Sequence, residues 1–156
     1  MILAVAAAMA VHLFADRALK IGIEMAATKS LNVGVSVEDV DLSIMGGKIG
    51  LQNLLINNPP GYQHKQLLEL KDARIEVSMK SLLSDVVNIK DVKLDGLNVV
   101  LEQRGISGNN IQDVIRSIPA KDKQESKPAG KKLHIDNLEI SNATVKVKLL
   151  SVIPGK

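Results

Sequence analysis

The side chains of this chain that could do chemistry are few and scattered. His12, His64 and His134 are its three histidines, and none sits in an HExxH or comparable metal-ligand spacing. His64 and His134 read as structural or solvated side chains. His12, inside an apolar run, reads as a residue near a headgroup boundary or facing a neighbouring protein. No GxSxG, Walker-type or GxGxxG loop occurs. Gly105-Ile106-Ser107-Gly108 follows an expected strand and carries no Lys, so it reads as a turn rather than a phosphate cradle. Asp39, Asp72, Asp91 and Asp95 are the acidic candidates. A carboxylate pair doing acid–base work must converge in a dry cleft, whereas three of these recur at one position of a repeated strand pattern. Asn53 and Asn137 occupy that position in two other copies, and Asn cannot act as a base. The position therefore reads as a backbone-bonding device. The chain has no Cys, which excludes thiolate zinc sites, disulfides and thiol catalysis. No catalytic residue, no metal and no cofactor is expected, and the chain reads as non-enzymatic.

The repeated pattern is apolar, any, Asp or Asn, apolar, any, apolar. It appears as Val37–Leu42, Leu51–Ile56, Leu70–Ile75, Ile89–Leu94 and Ile135–Ile140. Apolar residues alternate with period two on each side of the Asp or Asn, but the two sides are one residue out of phase. A strand shows one face per phase, so each slip requires a bulge or a corner. A second repeat is longer. Val87–Leu101 returns 46 residues later as Leu133–Val147, with Ile89 aligned on Ile135, Val92 on Leu138, Leu94 on Ile140 and Val99 on Val145. Gly96 aligns on Asn142, two residue types that tolerate a left-handed backbone.

These repeats need strands to carry them, and composition agrees. The chain has 156 residues and 46% apolar residues with one Phe and one Tyr. Its core must be built from Val, Ile, Leu, Ala and Met, and β-branched residues favour strands. The scarcity of aromatics argues against base-stacking platforms, so no nucleic acid is expected as a partner. Strands are expected near Val33–Ile44 and Lys48–Asn57 with Gly46-Gly47 as a two-residue turn, then near Gln66–Lys80, Val86–Leu101 and from Lys132 onward. Asp95-Gly96 is either a hairpin or another bulge. Ile111, Val114, Ile115 and Ile118 have helical spacing, giving one short packing helix over residues 109–118, capped by Asn109 or Asn110. Residues 119–131, rich in Lys, Ser, Pro and Gly, read as a mobile loop. The ending, Val152-Ile153-Pro154-Gly155-Lys156, shows no natural stop and reads as truncated.

Met1–Ala15 carries no charge. A signal peptide wants a basic start, and a soluble helix rarely lacks a polar face over four turns. The segment reads as a membrane anchor continuing as a helix, an anchor domain of residues 1–30 before a β-rich domain of residues 31–156. Ala4, Ala7 and Ala8 give it a small-residue surface for packing on another helix. The fold class expected is mainly β with an N-terminal transmembrane helix: a bent antiparallel or mixed sheet forming a groove, with one short helix against it. Candidate groove-lining positions by alternation are Val92, Leu94, Leu97, Val99, Leu101, Leu138, Ile140, Val145 and Val147. The competing reading makes them ordinary core beneath Ile111–Ile118.

The ordered set of an N-terminal apolar helix, Asn58-Pro59-Pro60-Gly61-Tyr62, Leu68-Glu69-Leu70, Ser81-Leu82-Leu83, Leu94-Asp95-Gly96 and Asn109-Asn110 resembles the start of bacterial AsmA-like proteins. The resemblance covers roughly residues 1–150. It implies one inner-membrane helix, a β-rich part in the periplasm, and a taco-shaped sheet whose apolar groove handles membrane lipid. Arg17, Lys20 and Lys29 after the apolar run would by themselves keep that side cytoplasmic; the family orientation is preferred. The chain is far shorter than the long members and could not bridge an envelope alone. The alternative expectation is a small accessory subunit that docks on a larger membrane protein complex through its helix and sheet.

Overall fold

β-branched and Leu-rich stretches extend, and the residues between them decide where each strand bends or stops. The computed structural model describes residues 2–105, 108–118 and 131–150, with side chains from Phe14 onward. A long helix, α1 (Ile2–Leu31), ends at Asn32, whose φ of 55° terminates it in the left-handed conformation. Strands β1 (Val35–Ser36), β2 (Asp39–Ser43), β3 (Lys48–Asn57), β4 (Gln66–Val77), β5 (Val86–Arg104) and β6 (Gly108–Asn109) follow. Then come α2 (Asn110–Ser117), β7 (Lys132–Ile135), β8 (Leu138–Ser141) and β9 (Thr144–Leu150). A 3-10 turn at Met79–Leu83 links β4 to β5.

All nine described strands form one open, mixed sheet. β1 and β2 lie antiparallel to β3, β3 to β4 and β4 to β5. On the far side of β5 the pairing becomes parallel. β7, β8 and β9 run end to end along it, with Ile89 opposite Ile135, Val92 opposite Leu138, Leu94 opposite Ile140 and Val99 opposite Val145. The 46-residue repeat of the sequence is thus a pair of adjacent strands in register. Parallel neighbours need a crossover of a dozen residues or more, and the segment between Arg104 and Lys132 supplies it, with α2 inside. Of residues 119–131, expected as a mobile loop, 119–130 lie outside the described residues.

The backbone departs from a regular strand at four of the five copies of the pattern, and Asp72 is the exception. Asn53 has φ 48° and leaves the β3–β4 register undisturbed. Val37-Glu38 separates β1 from β2, so the single strand expected over Val33–Ile44 is two. The β4–β5 register shifts at Glu76/Val77, opposite Asp91, and Asp136-Asn137 separates β7 from β8. At Asp72 the strand keeps its register, and the left-handed residues are its neighbours' Asn53 and Gly96 (φ 70°). Asp95-Gly96 is a bend within the unbroken β5, and Asn142 (φ 50°) repeats it. A Cβ on Gly96 would stand 2.8 Å from Lys71 Cβ, so both backbone angle and space call for Gly. The expected two-residue turn is instead four residues, Ile44–Gly47, closed by the Ser43–Lys48 pair.

α1 lies along the β1–β2 edge and serves its unpaired donors. Thr28 Oγ1 accepts from Val35 N at 3.0 Å, Glu24 Oε1 from Val37 N at 2.7 Å and Asp16 Oδ1 from Leu42 N at 3.0 Å. Lys20 Nζ donates to Glu38 O at 2.9 Å. Unpaired edge donors invite further strands; here side chains four to eight residues apart on one helix close that edge. At the other end of the sheet, Val33, Leu67 and Val114 are buried together, packed by Leu31, Ile56, Leu68 and Ile111. α2 therefore seals a small core at the foot of α1, its start capped by Asn109 Oδ1 accepting from Gln112 N at 2.9 Å. Among the described residues no helix is long and apolar enough to cross a membrane.

Candidate functional site

Directly opposed residues on neighbouring strands project to the same face, so the register sorts the sheet into rows. Ile49, Ile75, Val92 and Leu138 make one apolar row, and Leu51, Ala73, Leu94 and Ile140 the next. Beyond the bend, Ile56, Leu68, Val99 and Val145 continue, followed by Leu101 and Val147. Leu97 stands opposite Leu70. Eight of the nine groove candidates thus form four adjacent β5–β8 or β5–β9 pairs. Val92, Leu94, Leu97, Val99 and Leu101 are half-buried. Leu138, Ile140, Val145 and Val147 are 49–64% exposed. The helix at 110–117 does not cover these four: its buried Val114 packs on Val33 and Leu67 instead.

The intervening rows are charged. Gly50, Arg74, Lys93 and Glu139 lie across one line, and Gln52, Asp72, Asp95 and Ser141 across another. Lys93 Nζ is 3.7 Å from Asp91 and 3.6 Å from Glu139. Such exposed pairs add little stability, but they mark this face as one for water. Asp91 of the repeat and the nearby Asp95 accept side-chain donors across strands, and Asp95 also takes the backbone N–H of Gly96. Asn137 Nδ2 donates to Asp91 Oδ1 at 2.6 Å, and Ser141 Oγ and Asn142 Nδ2 donate to Asp95 Oδ1 at 2.7 and 2.6 Å. Those two donors hold the Asp95 carboxyl below its usual range. Asp-to-Asn contacts of this kind pin β8 to β5 in register.

The polar cluster that sequence reasoning missed sits at the far end of β5. Glu102 and Asn110 are both 0% exposed. The Glu102 carboxylate accepts from Gln63 N at 2.7 Å, His64 N at 3.1 Å and lies 2.7 Å from His64 Nδ1. Burial raises its pKa, but the hydrogen bonds from the His64 ring and from the two backbone N–H groups outweigh that, leaving it below the usual carboxylate value. Asn110 Oδ1 accepts from Glu102 N at 3.0 Å, and its Nδ2 donates to Asn58 Oδ1 at 2.8 Å and Val100 O at 2.6 Å. Tyr62 donates to Asp113 Oδ2 at 2.5 Å, and the Arg104 guanidinium lies 4.5 Å from the centre of its ring. Burial, then the hydrogen bond to Asp113, pushes the Tyr62 hydroxyl up to about 12. Everything in the cluster fastens the loop Asn58–His64 to β5 and α2. The available signal was a lone Glu after the apolar run Val99-Val100-Leu101, alternating away from Leu101.

A model of the AsmA family matches residues 1–150. This chain belongs to the AsmA family. No curated protein and no solved structure matches it. The parts that carry the AsmA resemblance now have physical roles. The Asn-Pro-Pro-Gly-Tyr turn is the loop held by Glu102 and Asn110, and Leu94-Asp95-Gly96 is the bend of β5 braced by β8. Gly61, φ 93°, passes so close to Arg104 that a Cβ would stand 2.8 Å from its Nη2. His134 is 3.1 Å from Asp136 on the surface, remote from the His64 cluster. Among the described residues no group of three or more His, Asp or Glu is placed to hold a metal. The helix-packing candidates Ala4, Ala7 and Ala8 lie on α1 backbone, and their side chains, like that of His12, fall outside the described set.

Proposed function

We propose that this AsmA-family chain is a non-enzymatic, inner-membrane-anchored protein whose sheet lies in the periplasm and handles lipid through its apolar rows. One observation carries the reading. β8 and β9 keep Leu138, Ile140, Val145 and Val147 in water, paired row by row with the apolar residues of β5. A contiguous apolar strip of this kind marks a binding surface. Burying it against an acyl chain gains roughly 25 cal/mol per Å² and needs no polar chemistry. The anchor rests on the uncharged run Met1–Ala15, of which Ile2–Ala15 begin α1.

The test is co-purified lipid. The full chain extracted in mild detergent carries phospholipid detectable by mass spectrometry. Val145→Asp with Val147→Asp abolishes the load while leaving the circular dichroism spectrum unchanged. A wild-type protein free of lipid would refute the reading. A second reading, an accessory subunit docked on a larger membrane complex, has one observation of its own. The outer edge of β7–β9 has no strand partner among the described residues. Native mass spectrometry of the same extract separates the two: a lipid-free chain held in a larger assembly favours docking.

A further inference from the structure

The end of the sheet from which α1 departs brings exposed apolar tips and lysines together on adjacent turns. Along α1, Thr28 stands beside Val35, Glu24 beside Val37 and Asp16 beside Leu42. The helix therefore runs antiparallel to β2. Continued at 1.5 Å per residue, the 14 residues before Asp16 and after Met1 reach about 21 Å beyond the Ser43 end of that strand. The same end gathers the Ile44–Gly47 turn, the Met79–Leu83 turn and the start of β7. Register places them together: Ser43 pairs Lys48, Lys48 pairs Glu76, and Val86 pairs Lys132. Lys131 Nζ donates to Leu82 O, and Lys132 N to Asp85 O at 2.9 Å, which ties the third segment to the second.

On this rim Met45 is 100% exposed and Leu83 94%, with Phe14, Ile44, Leu82 and Leu133 also open to solvent. No fold requirement explains two fully exposed large apolar tips on adjacent turns. Exposed Lys48, Lys80, Lys131 and Lys132 surround them, against Glu76 and Asp85. Apolar tips ringed by cations match the interface of an anionic bilayer, where the tips enter the headgroup boundary and the ammonium groups stay with the phosphates. The apolar start of α1 leaves from this same rim. We infer that the Met45–Leu83 rim is a second membrane contact, seated in the surface of the bilayer that holds α1, so that the sheet stands end-on upon it. This rests on the anchor reading above, and it adds what the anchor alone does not fix: which end of the sheet meets lipid, and that β5 and β7–β9 rise from the membrane surface.

The chain has no Cys, so single labels are clean. The full chain is reconstituted into phosphatidylcholine–phosphatidylglycerol vesicles carrying a nitroxide-labelled lipid. A nitrobenzoxadiazole label is placed at Met45→Cys, Leu83→Cys, Ala8→Cys or Lys65→Cys. Lys65 lies in the loop at the opposite end of the sheet. The labels at 8, 45 and 83 lose most of their fluorescence to the quencher, and the label at 65 keeps its own. If the label at 8 is quenched while those at 45 and 83 are not, the rim contact is wrong and the anchor stands. If those at 45 and 83 are quenched and that at 8 is not, the anchor is wrong and the rim contact stands. If none is quenched, both fail.

Discussion

Replacing Glu102 by alanine removes one acceptor from three donors at once. The Gln63 and His64 amides, 2.7 and 3.1 Å away, are then left in a part-buried site without their acceptor, and the His64 ring loses its 2.7 Å partner. An orphaned buried donor costs about 1–3 kcal/mol. The two amides carry that cost, and the ring, which is partly exposed, rehydrates. The expected loss is about 2–6 kcal/mol, a large part of the stability of a domain this size. Glu102→Gln keeps one acceptor oxygen but turns an amide NH2 toward donors, and should lose about 2–3 kcal/mol. Urea unfolding of the full chain in detergent micelles measures both. The chain has one Tyr and no Trp, so intrinsic fluorescence reports Tyr62, which sits in the fastened loop. Its emission should rise in Glu102→Ala before global unfolding, as the contact with Asp113 loosens. pH supplies an independent check. The folded pKa of Glu102 is depressed, so its contribution is full above the unfolded value of about 4.5 and is lost as pH falls through the folded value. The wild type should therefore weaken in acid more than Glu102→Gln does. A Glu102→Ala protein within about 0.5 kcal/mol of wild type, with unchanged Tyr62 emission, would refute the reasoning.

Tyr62 gives a second prediction. Its ionisation, followed by absorbance in the folded protein, should be centred at about 12 rather than 10. Because that pKa is raised, its contribution to stability is intact below pH 10 and fades as pH climbs toward 12; Asp113→Asn should move the midpoint down. Gly96→Ala forces a Cβ into a backbone with φ 70° and within 2.8 Å of Lys71, costing at least about 1–2 kcal/mol in chemical denaturation, whereas Asn142→Gly keeps the backbone angle and should cost less, losing only the hydrogen bond to Asp95. Glu24→Ala and Thr28→Ala each leave an edge amide of β1 or the following residue without its side-chain acceptor. Each should cost about 0.5–1.5 kcal/mol and speed hydrogen exchange at Val37 or Val35 respectively; unchanged exchange would show that α1 does not guard that edge.

The strand content, the bends and the repeat of β5 in β7–β9 were legible because period-two alternation and its slips are written in single residues. Gly96 and Asn142 could be matched across 46 positions without coordinates, and the structure shows them in the same bend. Parallel pairing of those copies was not legible, since alternation has no direction. Neither was the division of Val33–Ile44 at Val37-Glu38, where a buried Val37 keeps the apolar pattern going while its amide bonds α1. Competing readings of the groove candidates could not be separated from sequence, because alternation says which residues share a face but not what covers it. The Glu102–Asn110 cluster escaped for a related reason. Its members' partners across the Asn58–His64 loop lie 38 to 52 residues away, and nothing local distinguishes a buried Glu from a solvated one.

The central claim is that the apolar rows of β5 and β9 touch lipid while the intervening positions do not. A photoreactive benzoylphenylalanine at Val147, and separately at Lys146, in the full chain within its native membranes tests it at adjacent residues on opposite faces. Irradiation followed by mass spectrometry should find a phospholipid adduct at position 147 and none at position 146. Adducts absent from 147, or equally abundant at both, would contradict the account.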